Sequence, residues 1–192
     1  MYLTDTFFFI KESERMSDRL DGQYIVLDIE FTKSKERTEI IEIGAQRLLS
    51  YNYGTRVKES DSFNKLVKPL HLPKQSLLDL LGMKKEDLQE AQNFANVFQE
   101  FLEWVGDENT FYVVWGTRDP KIIEKECKNY YLVKEFQSMD FIDIQSYTML
   151  QDKIKTLPSL ASMVKKYGEF EGKQHNALND AVNTSKILKN II

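Results

Sequence analysis

The first patterned run is YIVLDIEFT, Tyr24 to Thr32, where four apolar positions lead into Asp28 and Glu30 with only Ile29 between them. The apolar run predicts a buried strand, and residues i and i+2 of a strand point to the same face, so the two acids project together. EIIEIGAQRLLS, Glu39 to Ser50, predicts a second strand, and SFNKLVKP, Ser62 to Pro69, a third. Charged connections carrying Tyr and Gly separate the runs, as antiparallel links do. From Ser76 to Gly106 the period changes. Phe94, Val97, Phe98, Phe101, Leu102 and Val105 recur at helical spacing, which predicts helix broken near Gly82.

Strand and helix then alternate. TFYVVWG (Thr110 to Gly116) reads as a short strand, PKIIEKECKNYYL as an amphipathic helix, and MDFIDIQSY as another strand. SLASMVKKYG reads as a helix stopped by Gly168, and HNALNDAVNTSKILKNII as the closing helix. Three strands in meander followed by strand-helix units predict an α/β fold of three layers, with a central mixed sheet of five strands flanked by helices. No repeat, low-complexity tract or Gly/Ser/Pro-rich linker divides the chain, so residues 24–192 are expected to form one domain behind an N-terminal extension, residues 1–23. The apolar patch Thr6 to Ile10 in that extension is expected to dock on the body, on a protein partner or on a second copy.

At 192 residues the chain is long enough to bury a core without staples. Its single cysteine, Cys127, excludes an internal disulfide framework and suits a reducing compartment. No run is long and apolar enough to span a membrane, and the N-terminal TFFFI is too short for a signal peptide, so a cytoplasmic location is expected. The formal net charge of −4 argues against a surface that binds nucleic acid by bulk charge, though not against a local basic groove or a substrate reached through cations.

Asp28 and Glu30 are the first anomaly, since two like charges at the end of an apolar strand need compensation. The closing helix supplies the second. Ala177, Ala181, Thr184, Leu188 and Ile191 share one face, and Asp180 falls within it. The small alanines let the helix approach the sheet closely, which brings Asp180 toward the strand acids. Converging carboxylates call for hard divalent cations. His175, five residues before Asp180, can share a site with it only from the loop preceding the helix, where Gly172 lets the chain bend; otherwise it is a surface histidine. Asp119 follows a strand and precedes Pro120, which suits a helix N-cap as well as a ligand at the carboxyl end of a strand. Asp143 is a rival acid that strand alternation can instead turn to water or a backbone donor.

Asp28-Ile29-Glu30, then Asp119, then His175 and Asp180 within HNALNDA, resemble in order and context the DEDDh family of 3′→5′ exonucleases, the DnaQ-like nucleases on a ribonuclease-H-like fold. The resemblance covers residues 24–192, and HNALNDA, matching H-x-A-x-x-D-A, is its most specific part. LDIEFT and WGTRDPKIIEKEC look most like the Eri-type exoribonuclease and KapD-like branch, where a Trp-Gly pair precedes the third acid. Proofreading exonucleases carry D-x-E-T and Asn-x-x-F-Asp; here Thr32 stands one position late, and the Asn and Phe are absent.

The resemblance implies two divalent cations, Mg2+ or Mn2+, held by Asp28, Glu30, Asp119 and Asp180, with Asp28 bridging and His175 as general base. The implied reaction is hydrolysis of single-stranded nucleic acid, RNA favoured over DNA, to nucleoside 5′-monophosphates. Lys165, Lys166 and Lys173 are candidate backbone contacts, and Trp115 can stack on a terminal base or pack in the core. The competing readings are a non-catalytic nucleic-acid-binding or adaptor module on the same fold and a DNA-trimming or proofreading subunit.

Overall fold

The computed structural model describes residues 22–34, 37–51 and 56–192. The apolar patch Thr6 to Ile10, with the extension expected before the first strand, lies outside the described residues up to Asp21. The first three strands form a meander: β1 (Gln23–Lys33), β2 (Thr38–Tyr51) and β3 (Arg56–Lys68). Then come α1 (Gln75–Leu81), α2 (Lys85–Glu90), a two-residue β4 (Gln92–Asn93) and α3 (Phe94–Val105). The second half runs β5 (Thr110–Val114), α4 (Arg118–Asn129), α5 (Val133–Gln137), β6 (Phe141–Asp143), α6 (Ile144–Gln151), α7 (Leu160–Tyr167) and α8 (Ala177–Ile191).

The strands make one six-stranded mixed sheet in the order β4-β3-β2-β1-β5-β6. β1, β2 and β3 pair antiparallel, while β5 lies parallel to β1 and β6 parallel to β5. The sixth strand, absent from the sequence prediction, is β4. The chain between α2 and α3 is extended at Ala91 and Asn93, which lets Gln92 and Asn93 pair with Val67 and Lys68 before the Asn93 side chain caps α3. MDFIDIQSY is strand only as far as Asp143. Asp143 Oδ1 accepts from the amides of Gln145 and Ser146 and starts α6, so the rival acid is a helix cap.

Alternation along β1 divides the core into two layers, one on each face of the sheet. Ile25, Leu27 and Ile29 face one side, where they pack with Phe94, Phe98 and Phe101 of α3 and with Ile123 and Cys127 of α4. Val26 faces the other side and packs with Val113, Met163, Val164, Ile187 and Leu188 under α7 and α8. Asp28 and Glu30 continue the Val26 face, beneath α8. A bulge in β2 beside Glu30 leaves Ile41 out of the ladder and seats it in a small third cluster with Leu78, Leu81 and Leu88. Among the described residues no helix is long and apolar enough to cross a membrane.

Candidate active site

β1 and β5 run parallel, so their carboxyl ends open on the same edge of the sheet. Asp28 and Glu30 lie at that end of β1, and Asp119 follows β5 in the first turn of α4. The N-cap of α4 is Thr117, not Asp119. The Asp119 carboxylate instead accepts a hydrogen bond from the backbone N–H of Ile29, which ties it to β1 between the two strand acids.

Asp180 arrives from the opposite layer. Gly44 of β2 pairs with Asp28 and lies under the start of α8. A Cβ at position 44 would collide with the Leu178 amide nitrogen and the Ala177 carbonyl, so only glycine lets α8 come this close. Ala177 and Ala181 are fully buried in the same contact. Glu42, paired with Glu30 across the ladder, accepts from Asn176 Nδ2 at 2.9 Å and from the Ala177 amide at 3.2 Å. The first turn of α8 is therefore held by both a steric fit and a buried carboxylate.

His175 stands in the loop before α8, with φ of 60°. That left-handed backbone points its N–H at Asp180 Oδ2, 3.1 Å away. A ring nitrogen of His175 and carboxylate oxygens of Glu30 and Asp180 all lie within 4.8 Å of one another. The loop is anchored by asparagines of α8: Asn179 Nδ2 donates to the Lys173 carbonyl, and Asn183 exchanges hydrogen bonds with the backbone of Glu171.

The electrostatics of the cluster follow from this crowding. Burial pushes Asp28 well above the ordinary carboxylate range, and the charges of Asp119, Asp180, Glu30 and Glu42 push it further. Glu30 is raised from 4.5 to about 8, by burial first and then by Asp180, Glu42 and Asp119. Burial also raises Asp119, to about 7, against the opposing pull of Arg118 and the Ile29 N–H. Asp180 is raised by burial and partly relieved by the His175 N–H. Asp180 Oδ1 is buried without a hydrogen-bond partner among the described residues. A carboxylate oxygen left bare among other carboxylates fits a divalent cation, which would satisfy it and offset the repulsion.

Asp28, Glu30, Asp119, His175 and Asp180 are thus brought together. The four other predicted contact residues are not part of the cluster. Trp115 packs against the α7 and α8 core layer. Lys166 is ion-paired with Asp152 at 2.6 Å. Lys173 lies beside Gly82, and Lys165 is exposed on α7. Glu42, Gly44 and Asn176 were missed by the sequence reading. The signal for Glu42 and Gly44 was present in EIIEIGA, where an acid and a glycine interrupt an apolar strand as Asp28 and Glu30 interrupt the first.

The family profile of exonucleases, RNase_T, matches residues 25–188. DNA polymerase III subunit epsilon of Aquifex aeolicus is 29% identical over 183 residues, 94% of this chain and 86% of that protein. A probable 3′-5′ exonuclease, KapD of Bacillus subtilis, is 23% identical over 176 residues, 86% of this chain and 82% of that one. The nuclease domain of 3′hExo, a DEDDh family member bound to rAMP, superposes with a TM-score of 0.76 at 19% identity, covering 91% of this chain and 93% of that one. Exonuclease I of E. coli in complex with a dT13 oligonucleotide gives 0.68 at 14% identity, covering 88% of this chain and 41% of that one. With the profile spanning nearly the whole described domain and the acids and histidine gathered at one sheet edge, the chain belongs to the RNase_T exonuclease family, the DEDDh or DnaQ-like 3′→5′ exonucleases.

Proposed function

We propose that this chain removes nucleotides one at a time from the 3′ end of single-stranded nucleic acid, RNA in preference to DNA, with two divalent cations and His175 as general base. The observation that carries the reading is the convergence of Asp28, Glu30, Asp119 and Asp180 with a histidine ring at the carboxyl ends of two parallel strands. A non-catalytic module on this fold has no use for four mutually repelling acids.

Exonucleases of this family use divalent metal ions. Asp28, Glu30, Asp119 and Asp180 would hold them; these donors are all oxygen, which suits Mg2+ or Mn2+. Bound there, the cations would neutralise the phosphate's approach to the acids and lower the pKa of the attacking water. The His175 ring nitrogen that faces Glu30 and Asp180 accepts the water's proton. The water oxygen bonds to the terminal phosphorus, the P–O3′ bond breaks, and the departing 3′-oxygen takes up a proton. A nucleoside 5′-monophosphate is released, and the shortened strand is left with a 3′-hydroxyl. The α8 loop supplies orientation, because the backbone N–H of His175 and its ring act on the same neighbour, Asp180.

The preference for RNA is supported by the KapD-like sequence features and by the rAMP bound to 3′hExo. Two observations favour DNA: the identity to the epsilon subunit of a DNA polymerase, and the dT13 oligonucleotide bound to the similar Exonuclease I. 5′-labelled single-stranded RNA and DNA of matched sequence, incubated with Mg2+ or Mn2+ and separately with chelator, test both points. A descending ladder that chelator abolishes supports exonuclease action, and the relative rates assign the sugar. No shortening of either strand sinks the reading.

A further inference from the structure

Beside the carboxylates, between the end of the β1–β2 hairpin and α4, lies a groove of about 180 Å3 lined by Phe31, Lys33, Arg118, Lys121, Ile122 and Lys125. Its four cations are exposed. Among the described residues none of the four forms an ion pair with a carboxylate, whereas Lys65, Lys128, Lys166, Lys186 and Lys189 are each paired with an acid. In a chain of net charge −4, four exposed cations gathered at one place, with Arg118 also pulling on the Asp119 carboxylate, are a local reversal of sign. Like charges so grouped repel one another and are relieved by a polyanion.

The placement points to the same ligand. Arg118 directly precedes Asp119 on α4, and Phe31, the residue after Glu30, turns to the α4 side of the sheet, so the groove flanks the acid cluster on its α4 side. The Arg118 guanidinium sits over the Phe31 ring, 4.6 Å from its centroid, which fixes a planar cation at the mouth. Lys121 and Lys125 are one helical turn apart on α4 and face the same way. From Arg118 to Lys125 the cations extend along the helix by about 10 Å. Ile122 is buried between them and gives the groove an apolar floor.

We infer that this groove carries the phosphodiester backbone of the single-stranded substrate on the 5′ side of the nucleotide being removed. The inference rests on the exonuclease reading above and adds to it the path of the strand. It also moves the backbone contacts from Lys165, Lys166 and Lys173 to the β1 end and α4.

The test measures binding, not turnover. A fluorescein-labelled single-stranded oligonucleotide of about twelve nucleotides, within the site sizes such proteins cover, carries phosphorothioate linkages at its 3′ end to resist cleavage. It is titrated with the protein in Mg2+ at several salt concentrations. Each phosphate contact contributes about 0.7 to the slope of log affinity against log salt for single strands, so Lys121→Ala/Lys125→Ala should lower that slope by about 1.4. Alanine keeps both exposed positions helical, and a melting curve checks it. Lys58→Ala/Lys85→Ala, which removes two exposed lysines elsewhere, should leave the slope unchanged. An unchanged slope in the α4 variant, or an equal fall in both variants, overturns the groove. If the wild type shortens unmodified strands and the α4 slope does not change, the groove fails and the exonuclease reading stands. If the slope falls as expected and no strand is ever shortened, the groove stands and the hydrolytic reading fails.

Discussion

The carbonyl of Ala177 lies over Gly44, where a Cβ would come within 2.7 Å of the Ala177 oxygen and nearer still to its carbonyl carbon. Both sides of this contact are backbone, so no side chain can turn away to make room. Gly44→Ala should destabilise the fold by about 1–3 kcal/mol, the usual cost of overpacking. It should also lower nuclease activity in the fraction that remains folded, because lifting α8 moves Asp180 away from Asp28. Urea unfolding and a rate corrected for folded protein measure the two effects; full activity at native stability would show that α8 does not need this contact.

Glu30 and Glu42 face each other across the β1–β2 ladder, yet they have different tasks. Glu30 lies with Asp180 and His175, while Glu42 accepts the Ala177 and Asn176 donors at the start of α8. Glu30→Gln should abolish cleavage with little change in stability. Glu42→Gln should keep most activity, since a neutral amide oxygen still accepts one of the two hydrogen bonds, and Glu42→Ala should cost about 1–3 kcal/mol by leaving buried donors unpaired. Equal loss of activity in both glutamine variants would erase the distinction.

Raised carboxylate pKa values make stability depend on pH in the metal-free protein. Glu30 rises from 4.5 to about 8 on folding, and Asp28, Asp119 and Asp180 shift the same way. Between the ordinary and the raised values the native state holds more protons than the unfolded chain, so stability falls as pH rises through that window. With chelator present, Tm should therefore be higher near pH 5 than near pH 8. At pH 8 a divalent ion at about a hundredfold over its dissociation constant should restore about 2.7 kcal/mol, or about 5–10 °C. Asp28→Ala should flatten the pH dependence and weaken the response to metal. A Tm that rises with pH, or no response to Mg2+ or Mn2+, would contradict the cluster's electrostatics.

Much of this arrangement was legible in the sequence because it broke a pattern. Asp28 and Glu30 interrupt an apolar run at period two, and Asp180 falls on the face of the closing helix that carries Ala177, Ala181, Leu188 and Ile191. The meander and the strand-helix alternation followed from hydrophobic period alone. Three features did not. β4 is only two residues long, too short for any period. The end of β6 was misread because FIDIQSY alternates like a strand, while the Asp143 side chain captures the next two free amides and makes helix the better choice. The basic groove is assembled from the end of one hairpin and one helix face, and spacing within either segment does not announce it. Lysines 165, 166 and 173 drew notice through proximity in sequence to HNALNDA, but Lys166 is already paired with Asp152.

Asp119 separates capping from chemistry. Thr117 occupies the cap of α4, and Asp119 instead accepts the Ile29 N–H. Asp119→Asn retains an oxygen for that bond and removes one charge from the crowd, so stability should hold or rise slightly. Activity should fall by at least about a hundredfold if the carboxylate serves the reacting centre. An Asn variant as active as the wild type would leave Asp119 a purely structural acceptor.

His175 carries two functions that substitution can pull apart. Its backbone, at φ of 60°, is in a region that Gly, Asn, Asp and His enter more readily than other residues, and this conformation directs its N–H to Asp180. Its ring lies against Glu30 and Asp180. Alanine would lose the ring and also sit badly in the left-handed backbone, so a fall in rate would be ambiguous. His175→Asn keeps a residue suited to that backbone and removes the imidazole. As a general base the ring should contribute about 10²- to 10⁴-fold, so turnover should drop by that much while the metal concentration for half-maximal activity stays near wild type. The wild-type rate should fall on the acid side as the imidazole takes a proton, and that limb should disappear in His175→Asn. Asp180→Asn should behave differently, weakening metal response and turnover together, because it removes charge from Oδ1, which has no hydrogen-bond partner among the described residues. Near-normal turnover in His175→Asn, or an acid limb that survives unchanged at saturating metal, would assign proton transfer to another group and leave His175 with only its backbone role of orienting Asp180.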